Sequence, residues 1–510
     1  MNDATATDIR DGELLAAVDL GSNSFHLVVA RYEHGSLRLI DRLRDSVRLA
    51  MGLRADGTLD PERRERALAS LARFGQRLRA LPSSRVRAIA TNTVRRLAHP
   101  QSFLLPAETA LGHPIEVVNG REEARLIYLG VAHDVPESKQ RRLVVDIGGG
   151  STEFIIGQGF DAIETESVQM GCVASTLRFF GDGKFTPKRW RQAQTEIAIE
   201  LQQFAADYKA RGWGEAIGSS GTAKAIGNIV QANGWSEQGI NFAALERLRD
   251  AILEAGSVEA LRLAGLAEDR AAVIAGGVAI MEAVFATFAL ESMSVCETAM
   301  REGILYDMVG RSMQRDPRAG SVAALASRYA VDRAQAARVH YAALELFDQV
   351  ADAWQLGGAE RELLGWAADV HEIGLAIAHS LHHIHGAYIV ANSDLPGFTR
   401  QGQQALAAII RSHRRKPDRE TIDALPERLR RPTRRLTALL RLAALLQRGR
   451  TTEALPPVQL IAEDKTLRLE LPASWLDQHP LTRADLEQER DYFKILDLKL
   501  QVRATDKIAA

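Results

Sequence analysis

Two stretches of this chain carry the same arrangement of chemically capable residues. Residues 17–24, AVDLGSNS, and residues 144–151, VVDIGGGS, both read apolar, apolar, Asp, apolar, Gly, two further residues, Ser. Their aspartates, Asp19 and Asp146, lie 127 residues apart, about one domain length. Each pattern predicts a carboxylate near the end of a buried strand, a turn of small residues, and a second strand. Glycines let the backbone approach phosphate oxygens closely, and successive N–H groups form a nest for an anion. The expected phosphate contacts are Ser22, Asn23 and Ser24 in the first turn and Gly148, Gly149, Gly150 and Ser151 in the second. An aspartate beside them can hold Mg²⁺, directly or through water, between protein and phosphates. Two such hairpins facing one another would clamp a phosphate chain from both sides.

Four more stretches bear on the same chemistry. Residues 217–223, IGSSGTA, read as strand, small turn and helix start, so Ser219, Ser220, Gly221 and Thr222 are expected to aim backbone donors at an anion. An ordinary serine N-cap has the same pattern. Arg95, in the segment TNTVRR that follows the strand candidate VRAIAT, could bind phosphate as a fork of donors. Residues 120–126, GREEARL, open a helix with two adjacent acids, Glu122 and Glu123. Neighbours on a helix do not share a face, so one acid is expected in the cleft and the other on the solvated surface. Periodicity does not say which. The second hairpin continues to Glu153, a further acid on its outgoing strand.

The elements that must position these residues alternate in the first part of the chain. LLAAVDL and FHLVVAR bracket GSNS as a hairpin, and RRLVVDIGGGSTEFIIG repeats it. PERRERALASLARFGQRLRAL and REEARLIYLGVAHDV have helical spacing. SMSVCE reads as a strand, followed by a helix ending near Gln314. After Asp316-Pro317 nearly everything to about Arg448 reads as amphipathic helix, and beyond Pro456-Pro457 the runs VQLIAEDKTLRLELP and FKILDLKLQVRA alternate like strands. Expected divisions are 1–135, 136–315, 316–451 and 452–510.

These motifs resemble the two phosphate loops of the actin-like ATPase superfamily. With DLGSNSFHLVV, TNTVRR, GREEARL and DIGGGSTE, and with HEIGLAIAHS and YIVANSDLPGFTRQGQQALAAIIRSHRRK in the helical part, the chain is similar over nearly its whole length to the exopolyphosphatase/guanosine pentaphosphate phosphatase family. The resemblance implies a multidomain α/β plus α architecture. It would comprise two ribonuclease-H-like (actin-like ATPase) lobes, an HD-like all-helical domain and a small C-terminal α+β domain. It implies hydrolytic removal of terminal phosphoryl groups, from polyphosphate or from the 5′ end of pppGpp, with Mg²⁺. By motif, Glu123 matches the family's general base, Asp146 its magnesium site and Arg95 its phosphate-contacting arginine. Asp19 and Glu153 join the acidic metal cluster.

In the helical part, His371, His379, His382, His383, His385 and His413 fall within 43 residues. The pair His371-Glu372 stands where HD-type phosphohydrolases carry His-Asp, and the extra methylene of Glu displaces a ligating oxygen. Packing or surface roles are the leading expectation, ahead of a phosphate or metal contact.

Composition suits a globular chain, with 46% apolar residues, 25% charged residues and a net charge of −1. The N-terminus carries four acids before its first apolar run, unlike a signal peptide, and no apolar stretch reaches the length of a membrane span. Two distant cysteines, Cys172 and Cys296, give no disulfide framework. From Arg411 to Arg450, thirteen Lys/Arg face four Asp/Glu, a local charge of +9, without any Phe, Tyr or Trp. A basic window without stacking platforms suits an inorganic polyanion better than nucleic acid, and Arg411, Arg414, Arg415 and Lys416 are its candidate channel residues. The leading expectation is a cytoplasmic, homodimeric, processive exopolyphosphatase, with peripheral association at the inner face of the membrane left open. A pppGpp phosphohydrolase and, in another class, a non-catalytic nucleotide-binding regulator are the alternatives.

Overall fold

Both repeated stretches fold as hairpins in the same topological position of two sheets. In the computed structural model, which describes residues 9–33, 36–136, 138, 140–312, 316–450 and 455–505, strand β1 (Leu14–Leu20) runs antiparallel to β2 (Phe25–Glu33), which pairs with β3 (Ser36–Asp45). On its other edge β1 is parallel to β4 (Val86–Ala90), followed by β5 (Ile115–Val117). The second sheet repeats the order: β6 (Arg142–Ile147) is antiparallel to β7 (Thr152–Gln158), and β7 to β8 (Asp161–Val168). β6 is parallel to β9 (Glu215–Ser219), followed by β11 (Ser292–Val295) and the short β10 (Ile240–Asn241). These are the two actin-like lobes that the repeat implies. Strands β1 and β6 are almost wholly buried because each sheet is covered on both faces, which is why they read as continuous apolar runs.

Four helices carry the site. α1 (Gly120–Asp134) starts at an Asn119 cap whose side chain accepts from the Glu122 amide. α2 (Cys172–Phe180) and α3 (Ser220–Ala232) follow the second and third loops, and α4 (Met300–Ser312) returns to pack on α1, β1 and β2 of the first lobe. At the α1–α4 crossing, Gly130 faces the Ala299 carbonyl and Gly303 faces the Leu126 carbonyl, each too close for a side chain. This contact sets Glu123 and Arg301 on neighbouring helices at one end of the crossing.

Residues 9–312 and 316–505 form separate compact units. The second unit packs α5 (His382–Asn392), α6 (Arg400–Ser412), α7 (Glu427–Leu446) and further helices around one apolar core. Strands β12 (Gln459–Glu463), β13 (Thr466–Pro472) and β14 (Lys499–Thr505) contribute Leu460, Leu467, Leu469 and Leu500 to that same core. The expected boundaries at 315 and 452, and the helix end near Gln314, fall outside the described residues. One assignment is corrected: Phe493–Ile495 close a helix, α8 (Pro480–Ile495), instead of opening a strand. Phe493 is fully buried on α8, and its apolar neighbours satisfy helical spacing as well as alternation. Among the described residues no helix is long and apolar enough to cross a membrane.

Candidate active site

The two hairpin turns and the start of α3 line one cavity of about 500 Å³. Asp19, Ser22, Asn23 and Ser24 enter from the first lobe, and Asp146, Gly148, Gly149, Gly150, Ser151 and Glu153 from the second, with Ser220, Gly221, Thr222 and Glu123 completing the wall. The hairpin registers place Asp19 opposite His26 and Asp146 opposite Glu153. Thr93 donates to the Ser22 hydroxyl at 2.8 Å, tying the first loop to the segment after β4. Gly171 lies against the Gly149 carbonyl, so a side chain there would push the second loop off α2.

The third loop is fastened to the second. The Ser220 and Thr222 hydroxyls both donate to the Ile147 carbonyl, at 3.0 and 2.8 Å. Ser220 has φ 84°, a left-handed conformation unusual for serine, and its side chain also accepts from the Thr222 amide at 3.2 Å. Ser219 is fully buried behind the loop and donates to the Thr298 carbonyl at 3.0 Å. Of the four residues expected in this loop, Ser219 therefore supports the wall without lining it.

The acids are crowded and dry. Burial, with Glu123 and Asp146 nearby, pushes the Asp19 carboxyl up to about 7 against the pull of Arg301. Burial also raises Asp146 to about 6, opposed by the nearby Ser219 hydroxyl, and raises Glu153 well above the ordinary range. The Asp19 Oδ1 atom is buried without a hydrogen-bond partner. A buried anionic oxygen left unpaired is costly, and a cation is the partner that would satisfy this one. Among the described residues no three His, Cys, Asp or Glu converge tightly enough to cage a metal. Zinc or a transition ion would need such a cage. Mg²⁺ keeps several waters and is held by one or two carboxylates together with substrate phosphates, so one or two of Asp19, Asp146 and Glu153 would fit it.

Arg95 does not line the cavity. Its Nη1 bonds Glu123 Oε2 and the Val118 carbonyl, both at 2.8 Å, so it holds an acid from behind. Glu122 corrects the expectation of a solvated acid. It is fully buried and bonds Arg125 at 2.7 and 2.8 Å, within a network that includes Asp307 and Arg87. Two adjacent acids do point apart, but α4 covers the face opposite the cleft.

Sequence reasoning missed the cations. Arg42 and Arg44 on β3, Lys224 on α3, Arg270 and Arg301 all line the cavity. Arg44 pairs with Asp269 at 3.0 Å and Arg42 with Glu302 at 3.2 Å. Arg270 rests across Gly221, where a methyl would overlap its guanidinium. No local motif surrounds these residues. His26 was within reach of the repeat, because it stands seven residues after Asp19 as Glu153 stands seven after Asp146.

In the second unit, Arg411 pairs with Asp418 at 2.5 Å, while Arg414 meets only His382 Nδ1 at 3.3 Å among the described contacts, and Arg415 and Lys416 are exposed. His371, His382, His383 and His413 are buried together. The first and last bond the backbone carbonyls of Ala368 and Ile410 through Nδ1, and Glu372 pairs with Arg450.

The chain is similar to known proteins over most of its length. A model described as the Ppx/GppA phosphatase family matches residues 28–312, and one described as Ppx/GppA phosphatase, domain III, matches residues 318–490. An exopolyphosphatase from Cytophaga hutchinsonii has a similar fold, with 24% identity and a TM-score of 0.54 over 59% of this chain and 98% of that one. An exopolyphosphatase-like protein is 23% identical with a TM-score of 0.53, covering 59% of this chain and 99% of its own. The PPX-GPPA enzyme of Aquifex aeolicus is 26% identical over 57% of this chain and 98% of that one, with a TM-score of 0.49.

Proposed function

Because this chain belongs to the Ppx/GppA phosphatase family, we propose that it is an exopolyphosphatase, hydrolysing the terminal phosphate from inorganic polyphosphate with Mg²⁺ as cofactor. The observation that carries the choice of substrate is the cavity lining. Among the described residues, five cations, Arg42, Arg44, Lys224, Arg270 and Arg301, surround three phosphate loops, and no Phe, Tyr or Trp lines the cavity. A run of phosphates needs distributed positive charge, whereas a guanine base gains much of its affinity from stacking on a flat aromatic side chain.

In this reading the loop amides and hydroxyls bind the terminal phosphate, and the arginines and Lys224 take the phosphates behind it. Phosphoryl transfer needs alignment and charge stabilisation more than covalent help. Glu123 is the general base. Arg95 occupies its Oε2, so Oε1 is the atom left to take a proton from the attacking water. The water oxygen bonds to phosphorus, the bridging P–O bond breaks, and a chain one phosphate shorter leaves with orthophosphate. Mg²⁺, which one or two of Asp19, Asp146 and Glu153 would hold, would supply further neutralisation of phosphate oxygens.

The test is side-by-side hydrolysis of long polyphosphate and pppGpp by the full chain. A higher kcat/KM on polyphosphate is expected. A preference for pppGpp would transfer the function to the alarmone, and turnover of neither would leave a nucleotide-binding regulator.

A further inference from the structure

The repeat that builds the site is broken at one position. Seven residues after each repeat aspartate, and paired with it across the hairpin, stands Glu153 in the second lobe but His26 in the first. Glu153 accepts the Ser167 hydroxyl at 2.9 Å. His26 has different partners: its Nε2 lies 2.7 Å from Ser24 Oγ and its Nδ1 lies 2.8 Å from Arg301 Nη1.

A guanidinium can only donate. Nδ1 therefore carries the lone pair, the ring is the neutral Nε2–H tautomer, and Nε2–H donates to Ser24 Oγ. The Ser24 proton is then turned away from the ring, and Ser24 lines the cavity with no other hydrogen bond among the described residues. A serine beside an unprotonated imidazole nitrogen would do the reverse and direct its proton into the ring. Phosphate oxygens accept, so only the first arrangement serves a phosphate. We propose that His26 is a positioning residue that makes the Ser24 hydroxyl an obligate donor to a substrate phosphate oxygen, with Arg301 setting the imidazole tautomer.

This rests on the reading that the cavity binds a phosphate chain, and the experiment separates the two. Asparagine at 26 can accept from Arg301 but cannot reach Ser24, whereas glutamine can donate from the Nε2 position. With tripolyphosphate as substrate, His26→Asn should raise KM roughly tenfold, the scale of one hydrogen bond to a charged group, with kcat within about threefold. His26→Gln should stay within about threefold of wild type in both. Ser24→Ala should match His26→Asn, and the double variant should be no worse than Ser24→Ala alone. A merely structural histidine would lack both the rescue by glutamine and this non-additivity. On the unaltered full chain, ¹⁵N-histidine correlation spectra should show the Nε2–H form for His26. An Nδ1–H ring, a glutamine variant as impaired as the asparagine one, or additive single variants would overturn the relay. If wild type hydrolyses no polyphosphate, the functional reading fails, and tripolyphosphate binding by calorimetry then judges the relay through the same variants.

Discussion

Glu122 and Glu123 are adjacent, identical in type and both buried, yet their surroundings assign them different work. Glu123 borders the cavity with one oxygen held by Arg95, and Glu122 is locked to Arg125 behind it. Glu123→Gln should therefore cut kcat by roughly 10²–10⁴, the scale of general-base loss, while KM stays nearly constant. Glu122→Gln should instead lower stability by about 3 kcal/mol, because it leaves a buried arginine less than fully paired, and urea unfolding would read it. Equal losses of activity at full stability in both variants would contradict this division. The aspartates make a pH prediction. In the unfolded chain they titrate near 4, but in the fold Asp19 reaches about 7 and Asp146 about 6 through burial. Between those values the folded protein holds protons that the unfolded chain has shed, so metal-free stability should fall as pH rises from about 4 to 7. Mg²⁺ should displace those protons and restore stability most strongly near pH 8. Calorimetry of Mg²⁺ binding in buffers of different ionisation enthalpy should report proton release near pH 6.5. Binding without proton release would remove these carboxylates from the metal site.

At the scale of elements, the crossing of α1 and α4 decides whether base and cation meet. Gly130 and Gly303 let the two backbones touch, and the obstacle to a side chain at either position is a backbone carbonyl that cannot step aside. Gly303→Ala should force the helices apart and destabilise the protein by about 1–3 kcal/mol, the usual cost of overpacking. Because Arg301 lies two residues away on α4 and bonds His26, the variant should also raise KM for phosphate chains. Gly310, on the same helix, has open space where its side chain would stand, so Gly310→Ala serves as the control and should leave both quantities unchanged. Matching behaviour of the two alanine variants would show that the crossing tolerates separation.

At the scale of the whole molecule, the described apolar clusters of the first unit end at Val309, and the core of the second unit begins at Val322. A chain ending at residue 315 should thus fold and hydrolyse short phosphate chains at near wild-type rates. If the second unit holds the distal part of a long substrate, the truncation should raise KM for long polyphosphate only. Arg414→Glu with Arg415→Glu should do the same in the full chain and flatten the salt dependence, since each phosphate neutralised by a cation releases counterions. KM against chain length at two salt concentrations measures both effects. Parallel curves for wild type, truncation and double reversal would make the basic surface an ordinary solvated face.

The features legible from sequence are local ones. Strand period, small-residue turns and helix caps depend on neighbours a few residues apart, so both hairpins, the α1 start and the alternation of elements could be read directly, and the repeat pointed to phosphate. Tertiary structure decided everything that depends on distant partners. The +9 window is the clearest case. Several of its arginines are paired with acids outside it: Arg448 with Asp485, Arg441 with Glu489, Arg434 with Asp497, and Arg450 with Asp332 and Glu372. Those partners stand 37 to 118 residues away, so a running count of charge could not see them. Of the four expected channel residues, Arg414, Arg415 and Lys416 have no acidic partner among the described contacts, whereas Arg411 is paired with Asp418. Arg301, Lys224 and Arg270 reach the cavity for the same reason in reverse. Nothing beside them in the chain marks them, and only the packing of α4, α3 and the short helix Glu268–Ala271 brings their charges to the phosphate loops.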